Sequence, residues 1–262
     1  MKKLNRREVL RLGLSGAALA VLSRCMPKGL DVTDVPSTIV PAPADPTALP
    51  SPTPGQARRL LRNENRPGFY IRYYKPFEPV VRDTWRLQIE GLVNKPQYLT
   101  FQEIQDFPAL TQKSRMKCVE GWSVAAKWTG FHMRDLMTLV DPDPDAQWVH
   151  FYSADDYYES LSVEELLMER VLFVYKMNDA FLLDEYGAPL RLIVPSKYGY
   201  KGSKAIVRLV FSDKSLRGYW PTVGPYTEDG EIEAGRDFAL DFNESRRHGP
   251  GEVFYEDGLE SM

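Results

Sequence analysis

From residue 84 onward the apolar positions fall into short patterns whose period keeps changing. In TWRLQIEGLV, Trp85, Leu87 and Ile89 alternate with polar neighbours, the period of a half-buried strand that stops at Gly91. TFQEIQDF follows, where Thr100 and Glu103 stand at capping-box spacing and predict a helix closed by Pro108. RMKCV predicts a short strand with Cys118 near its C-terminal end, FHMRDLMTLV places Phe131, Leu136, Leu139 and Val140 near one helical stripe, and QWVHFYS predicts another strand. Ser162 and Glu165 repeat the capping box ahead of VEELLMER. VLFVYKMND predicts a strand running into a turn, and APLRLIVP a buried strand ended by Pro195. In SKAIVRLVF, Ala205, Val207 and Leu209 alternate with Ile206, Arg208 and Val210. Strands and short helices are interleaved with no internal repeat and no regular βαβ rhythm. The fold class is therefore α+β, with mixed or antiparallel sheets.

The first 57 residues are patterned differently. Arg6 and Arg7 in NRREVLRLG precede the apolar run LGLSGAALAVL, the outline of a twin-arginine export signal over residues 1–25. The run is too short to be a comfortable membrane span. Leu22, three residues before Cys25, outlines a lipoprotein processing site, although Arg24 stands where a small residue is expected. Residues 26–57 are Pro-rich and read as an extended tether, leaving residues 58–262 as the folded domain. Export by the twin-arginine route carries folded proteins, which suits a chain that takes up a complex cofactor before leaving the cytoplasm.

Composition narrows the chemistry. The chain is 43% apolar and 12% aromatic, enough for a sizeable core, and its formal net charge of −3 comes without a Lys/Arg stripe, which argues against nucleic acid. There are two cysteines. If Cys25 is lipidated or removed, Cys118 has no intramolecular partner, so a disulfide framework is excluded and the remaining thiol must be buried, reactive or bound. In SKYGYKGSK, residues 196–204, Gly199 and Gly202 free the backbone while Lys197, Lys201 and Lys204 supply charge, an anion cradle without a Walker pattern. His132, His150 and His248 are scattered and offer no zinc spacing, and neither a haem-attachment motif nor a G-x-S-x-G elbow occurs.

In order, FYIRYYKP, DTWRLQIEGLV, KCVEGWS, KWTGFHMRDLM, VYKMNDAFL, GAPLRLIVP and YGYKGSK resemble the sulfite-oxidase-type molybdopterin oxidoreductases over about residues 69–226. The resemblance implies that family's molybdopterin-binding fold and a molybdenum–molybdopterin cofactor, with Cys118 as thiolate ligand to the metal. A soft sulfur donor suits a metal already held by dithiolene sulfurs. It further implies that Gly202, Ser203 and Lys204, with the other lysines of the loop, hold the pterin phosphate, that Arg191 grips phosphate or pterin oxygens, and that Ser153 touches the cofactor. Phe69 and Arg72 fall in the first cofactor segment. Tyr74 stands where the sulfite oxidases carry a histidine, and Tyr186 where a His or Asn meets the pterin.

One departure bears on substrate. The sulfite oxidases place an arginine a few residues beyond the ligand cysteine, whereas here EGWS ends in Ser123. The wording CVEGWS is closer to the bacterial branch of periplasmic methionine-sulfoxide reductase catalytic subunits. The resemblance thus implies oxygen-atom transfer from an S-oxide, small or protein-borne. Arg72 and Tyr226 are candidates on the substrate side, and electrons would come from a membrane haem or quinol-linked partner. Oxidation of sulfite or another small anion is the rival activity, and a tethered, non-catalytic pterin- or anion-binding protein the rival class. The roughly forty residues after Trp220 read as an acidic, glycine-bearing tail rather than a dimerisation domain, so a monomer is expected.

Overall fold

The computed structural model describes Ile71 and residues 79–255. The export signal, Cys25, the tether and the candidate residues Phe69, Arg72 and Tyr74 lie outside the described residues. Two sheets carry the fold. The first has the order β2-β1-β10-β5-β6, formed by β1 (Arg86–Gly91), β2 (Gln97–Thr100), β5 (Trp148–Ser153), β6 (Tyr158–Ser162) and β10 (Ile206–Ser212). Only the β1/β10 pair is parallel in this sheet. The second sheet is organised on β4 (Trp122–His132), which pairs antiparallel with β3 (Leu110–Lys117) and β7 (Leu172–Met177). It also pairs parallel with β11 (Gly235–Ala239), and β12 (Glu244–His248), β8 (Ala180–Phe181) and β9 (Arg191–Ile193) complete the sheet.

The main core takes side chains from both sheets. Leu87 and Ile89 of β1, Leu209 and Phe211 of β10, and Val149 and Phe151 of β5 join Phe131 of β4 and Phe173 of β7. Phe131 stacks on Phe173 at 5.2 Å between ring centroids, and Phe173 on Phe151 at 6.0 Å, so an aromatic spine links the two sheets. Each such fully buried side chain is worth about 1.5–3 kcal/mol of transfer free energy. Helix α1 (Phe101–Gln105) closes one flank with the predicted capping box, in which Glu103 N–H donates to Thr100 Oγ1 and Thr100 N–H to Glu103 Oε2.

Several elements differ from the sequence pattern, each for a physical reason. Helix α2 (Met133–Val140) starts two residues later than the apolar stripe suggests, because Phe131 belongs to β4. His132 caps the helix, accepting at Nδ1 from the Arg134 N–H while its Nε2 donates to the Met168 carbonyl. β4 is buried along almost its whole length on both faces, so it shows no alternation. β6 hides behind its polar letters, since Glu159 and Ser160 are buried in it. Helix α3 (Val163–Leu166) keeps the Ser162/Glu165 capping box but is one turn long, and the next side chains, Leu167 and Met168, are exposed. A register shift between Ile206 and Arg208 resets the phase of β10, so Ile206, from one side of the alternation, joins Leu209 and Phe211, from the other, in the core, and Val207 is only partly buried. The segment after Trp220 is not a tail: beyond helix α4 (Tyr219–Val223) it builds the β11/β12 hairpin onto β4 and a small core of Ile232, Ala239, Val253 and Tyr255.

Candidate functional site

A cavity of about 220 Å³ opens where the end of β3, the end of β5, the start of β9 and the loop before β10 converge. Cys118 lies on the turn between β3 and β4, fixed because its N–H donates to the Trp122 carbonyl at 2.9 Å and its own carbonyl accepts from Gly121 at 3.2 Å. The half-buried thiol donates to Glu120 Oε2 at 3.7 Å, and the same oxygen accepts from the Trp122 indole at 3.1 Å. Burial, reinforced by the Glu120 charge, pushes this thiol up to about 11. It therefore stays protonated at neutral pH unless a cation sits at its sulfur.

On the wall behind it, Arg191 is fully desolvated. Its Nη1 donates to the Tyr186 carbonyl at 2.9 Å, its Nη2 contacts Met116 Sδ at 3.5 Å, and its guanidinium lies 5.4 Å from the Trp128 ring centroid. Its Nε is buried with no hydrogen-bond partner. Loss of water brings Arg191 down to about 10. Lys204 is pushed further, to about 8, by burial first and by Arg191 second, with Asp155 and Glu185 acting the other way. Gly187 lets Lys204 come this close: its φ is +98°, and a Cβ there would stand 2.7 Å from Lys204 Cβ. The hydroxyls of Ser153 and Ser203 are also buried without hydrogen-bond partners.

A buried guanidinium with an idle N–H, a nearby ammonium and two idle hydroxyls form a donor set that an anionic, oxygen-rich group satisfies. That is the chemistry a pterin phosphate presents, so these residues fit the group. Among the described residues no cluster of three or more His, Cys, Asp and Glu side chains is arranged to hold a metal. One sulfur alone makes a poor cage, so a metal at Cys118 has to arrive already held by another ligand.

Of the candidates named from sequence, Cys118, Ser153, Tyr186, Arg191, Gly202, Lys204 and Tyr226 line this one cavity, and Ser203 lies buried between two of them. Lys197 and Lys201 do not line it. Their ammoniums turn to carboxylates: Lys201 to Glu159 at 2.7 Å, and Lys197 to Glu165 at 2.8 Å and Glu231 at 2.5 Å. Ser123 is fully buried in β4, shares a hydrogen bond with the Tyr255 hydroxyl at 3.1 Å and accepts from Arg115 Nη1 at 3.3 Å, away from the cavity. The pattern of the sequence did not single out the aromatic wall of Tyr157 and Tyr200, which joins Trp220 and Tyr226, or the carboxylates Glu120, Asp155 and Glu185. Only the position of Glu120 next to the cysteine turn hinted at one of these.

Comparison with known proteins gives the family and the fold. The family model described as oxidoreductase molybdopterin binding domain matches residues 75–220. The protein-methionine-sulfoxide reductase catalytic subunit MsrP of Ralstonia nicotianae is 32% identical, over 54% of this chain and 47% of its own length. The corresponding subunit of Campylobacter jejuni is 31% identical, over 54% of this chain and 53% of its own. The chain spans about half the length of the curated relatives it matches. Among solved structures, the sulfane dehydrogenase SoxCD of Paracoccus pantotrophus superposes with a TM-score of 0.56 at 17% identity, covering 91% of this chain and 63% of that one. The shared architecture is the sulfite-oxidase-type molybdopterin fold.

Proposed function

Since the chain belongs to the oxidoreductase molybdopterin-binding domain family, we propose that it is an exported enzyme that removes the oxygen atom from an S-oxide. Molybdenum–molybdopterin, when bound, supplies a two-electron metal centre able to take up or give up an oxygen atom. Cys118 would contribute its sulfur to that metal, whose positive charge offsets the burial that otherwise keeps the thiol protonated. Arg191, Lys204 and the hydroxyls of Ser153 and Ser203 would hold the phosphate and polar edge, the planar guanidinium presenting a fork that a point charge lacks.

The observation that carries the substrate reading is the rest of the cavity lining. Glu120, Asp155 and Glu185 stand beside Tyr157, Tyr200, Trp220 and Tyr226. Glu120, whose carboxylate accepts from the Cys118 thiol, repels sulfite and similar anions beside that sulfur, while aromatic faces accept the methyl and methylene groups of a neutral, dipolar S-oxide. The position where an anion-binding arginine would stand is Ser123, turned into the sheet. Both features favour S-oxide reduction over sulfite oxidation. The relatives named above, described as methionine-sulfoxide reductase subunits, point the same way.

Reduction consumes electrons that the residues of the cavity do not supply. A membrane haem or quinol-linked donor is the proposed source, and the Pro-rich tether behind a twin-arginine signal and Cys25 would raise that donor's effective concentration. The test is protein purified from a molybdenum-replete host, with metal content measured alongside two assays. One mole of Mo per chain, with methionine sulfoxide oxidising a reduced viologen dye and sulfite failing to reduce an acceptor, is the expected result. Sulfite turnover without S-oxide turnover overturns the direction, and metal-free protein that is active in cells overturns the enzyme.

A further inference from the structure

The two lysines that turn away from the cavity lead to a second role for their loop. Residues 196–201 run alongside the segment 226–232, which carries Tyr226 of the cavity wall. Four consecutive carbonyls of that segment each accept a hydrogen bond from the loop. Thr227 O accepts from the Tyr200 hydroxyl at 2.9 Å, Glu228 O from Lys201 Nζ at 2.7 Å, Asp229 O from Lys197 Nζ at 2.8 Å, and Gly230 O from the Tyr198 N–H at 2.8 Å. Gly230, at φ +66°, lets the segment lie on the lysine stem, since a Cβ there would stand 2.4 Å from Lys201 Cγ.

Each ammonium is anchored from behind. Lys201 also donates to Glu159 Oε1 and to Ser160 O on β6, and Lys197 to Glu165 and Glu231. The Tyr200 carbonyl accepts from the Tyr157 hydroxyl at 2.6 Å, which fixes the middle of the loop. From this frame the ring of Tyr200 packs on Tyr226 at 5.5 Å, and Tyr226 on Trp220 at 5.5 Å. The other end of the same loop, Gly202 to Lys204, lies on the phosphate side of the cavity.

We propose that Lys197 and Lys201 are positioning residues for substrate: through the two central carbonyls of the four they hold the 226–232 strap, and with it the Tyr226/Trp220 wall, on the loop that carries the cofactor-side donors. This rests on the S-oxide reading above. The lysines set how tightly the substrate is gripped, and the cofactor is held without them. Two charged hydrogen bonds to a strap with four exposed residues, 227–229 and 231, are what keep it from fraying into water.

The test pairs Lys201→Met with Glu159→Gln, so that no buried charge is stranded and the Gln oxygen still accepts from the Ser160 N–H. Glu231→Ala, at the exposed end, is a milder second variant that leaves the core untouched. In the double variant KM for methionine sulfoxide should rise about tenfold, with kcat within twofold and Mo content unchanged; Glu231→Ala should raise KM about twofold to threefold. Hydrogen–deuterium exchange should show faster exchange in a peptide covering 225–232 and none elsewhere in the cavity wall. Loss of Mo with KM unchanged, or unaltered strap exchange in both variants, overturns the proposal. If the unmodified enzyme does not turn over S-oxide, the substrate reading falls, while the exchange measurement still decides the strap.

Discussion

The loop between β9 and β10 has two ends built from the same residue type with opposite outcomes. At its start, Lys197 and Lys201 are almost wholly buried, yet each has a carboxylate within 2.8 Å and one or two carbonyls besides. At its end, Lys204 shares its surroundings with Arg191, and the balance of burial and repulsion leaves both cations depressed. Acid–base pairing makes the first pair part of the scaffold. Two depressed cations, an idle Arg191 N–H and idle hydroxyls make the second a place for an anion. Burial alone does not distinguish structure from binding site; whether the buried donors are paired or idle does.

The sharpest way to break this comparison is to place methionine at the scaffold end of the loop and at the arginine beside its other end. Lys201→Met leaves the Glu159 carboxylate buried without its cation, and the cofactor-free protein should lose about 3–5 kcal/mol in urea denaturation. Arg191→Met removes a cation with no carboxylate partner, so the stability of the cofactor-free protein should change by less than about 1 kcal/mol or improve. Its cost should appear instead in retention of the cofactor, about 10–100-fold weaker, read as Mo per chain after dialysis. Equal destabilisation at both ends would erase the distinction.

A smaller effect sharpens it through pH. Lys204 has a folded value of about 8, below its unfolded 10.5, so the unfolded chain binds more protons between the two and the cofactor-free protein should gain stability as pH rises through that window. Lys197, raised by Glu165 and Glu231 against burial, has the opposite sign: its stabilisation is complete below the unfolded value and is lost as pH rises through the folded one. Denaturation midpoints from pH 7 to 10 should therefore climb for the unmodified protein relative to Lys204→Met. A flat difference would show that Lys204 is not held in a desolvated site beside Arg191.

What could be read from the chain was local. The alternation in TWRLQIEGLV placed Trp85, Leu87 and Ile89 in the core, and both capping boxes form as their spacing required, because a box needs only four neighbouring residues. The seven cavity residues named through the family resemblance, Tyr226 only by its spacing after Trp220, also meet in space. Less legible were β4, whose two buried faces leave no period, and β10, whose register shift resets its phase.

The charges at the two ends of the loop were beyond reach of the sequence by a different route. Lys197, Lys201 and Lys204 are equivalent in SKYGYKGSK, and nothing within the loop says which faces an anion. Glu159, Glu165 and Glu231, which neutralise two of them, come from β6, α3 and the strap, all more than about twenty-five residues away in the chain. Sequence by itself determined which chemical groups the chain carries and which short elements hold them, because both depend on near neighbours. Tertiary structure alone decided which of these cations meet a glutamate of the scaffold and which face the cavity, because electrostatic interaction depends on distance in space and on how much water the fold removes.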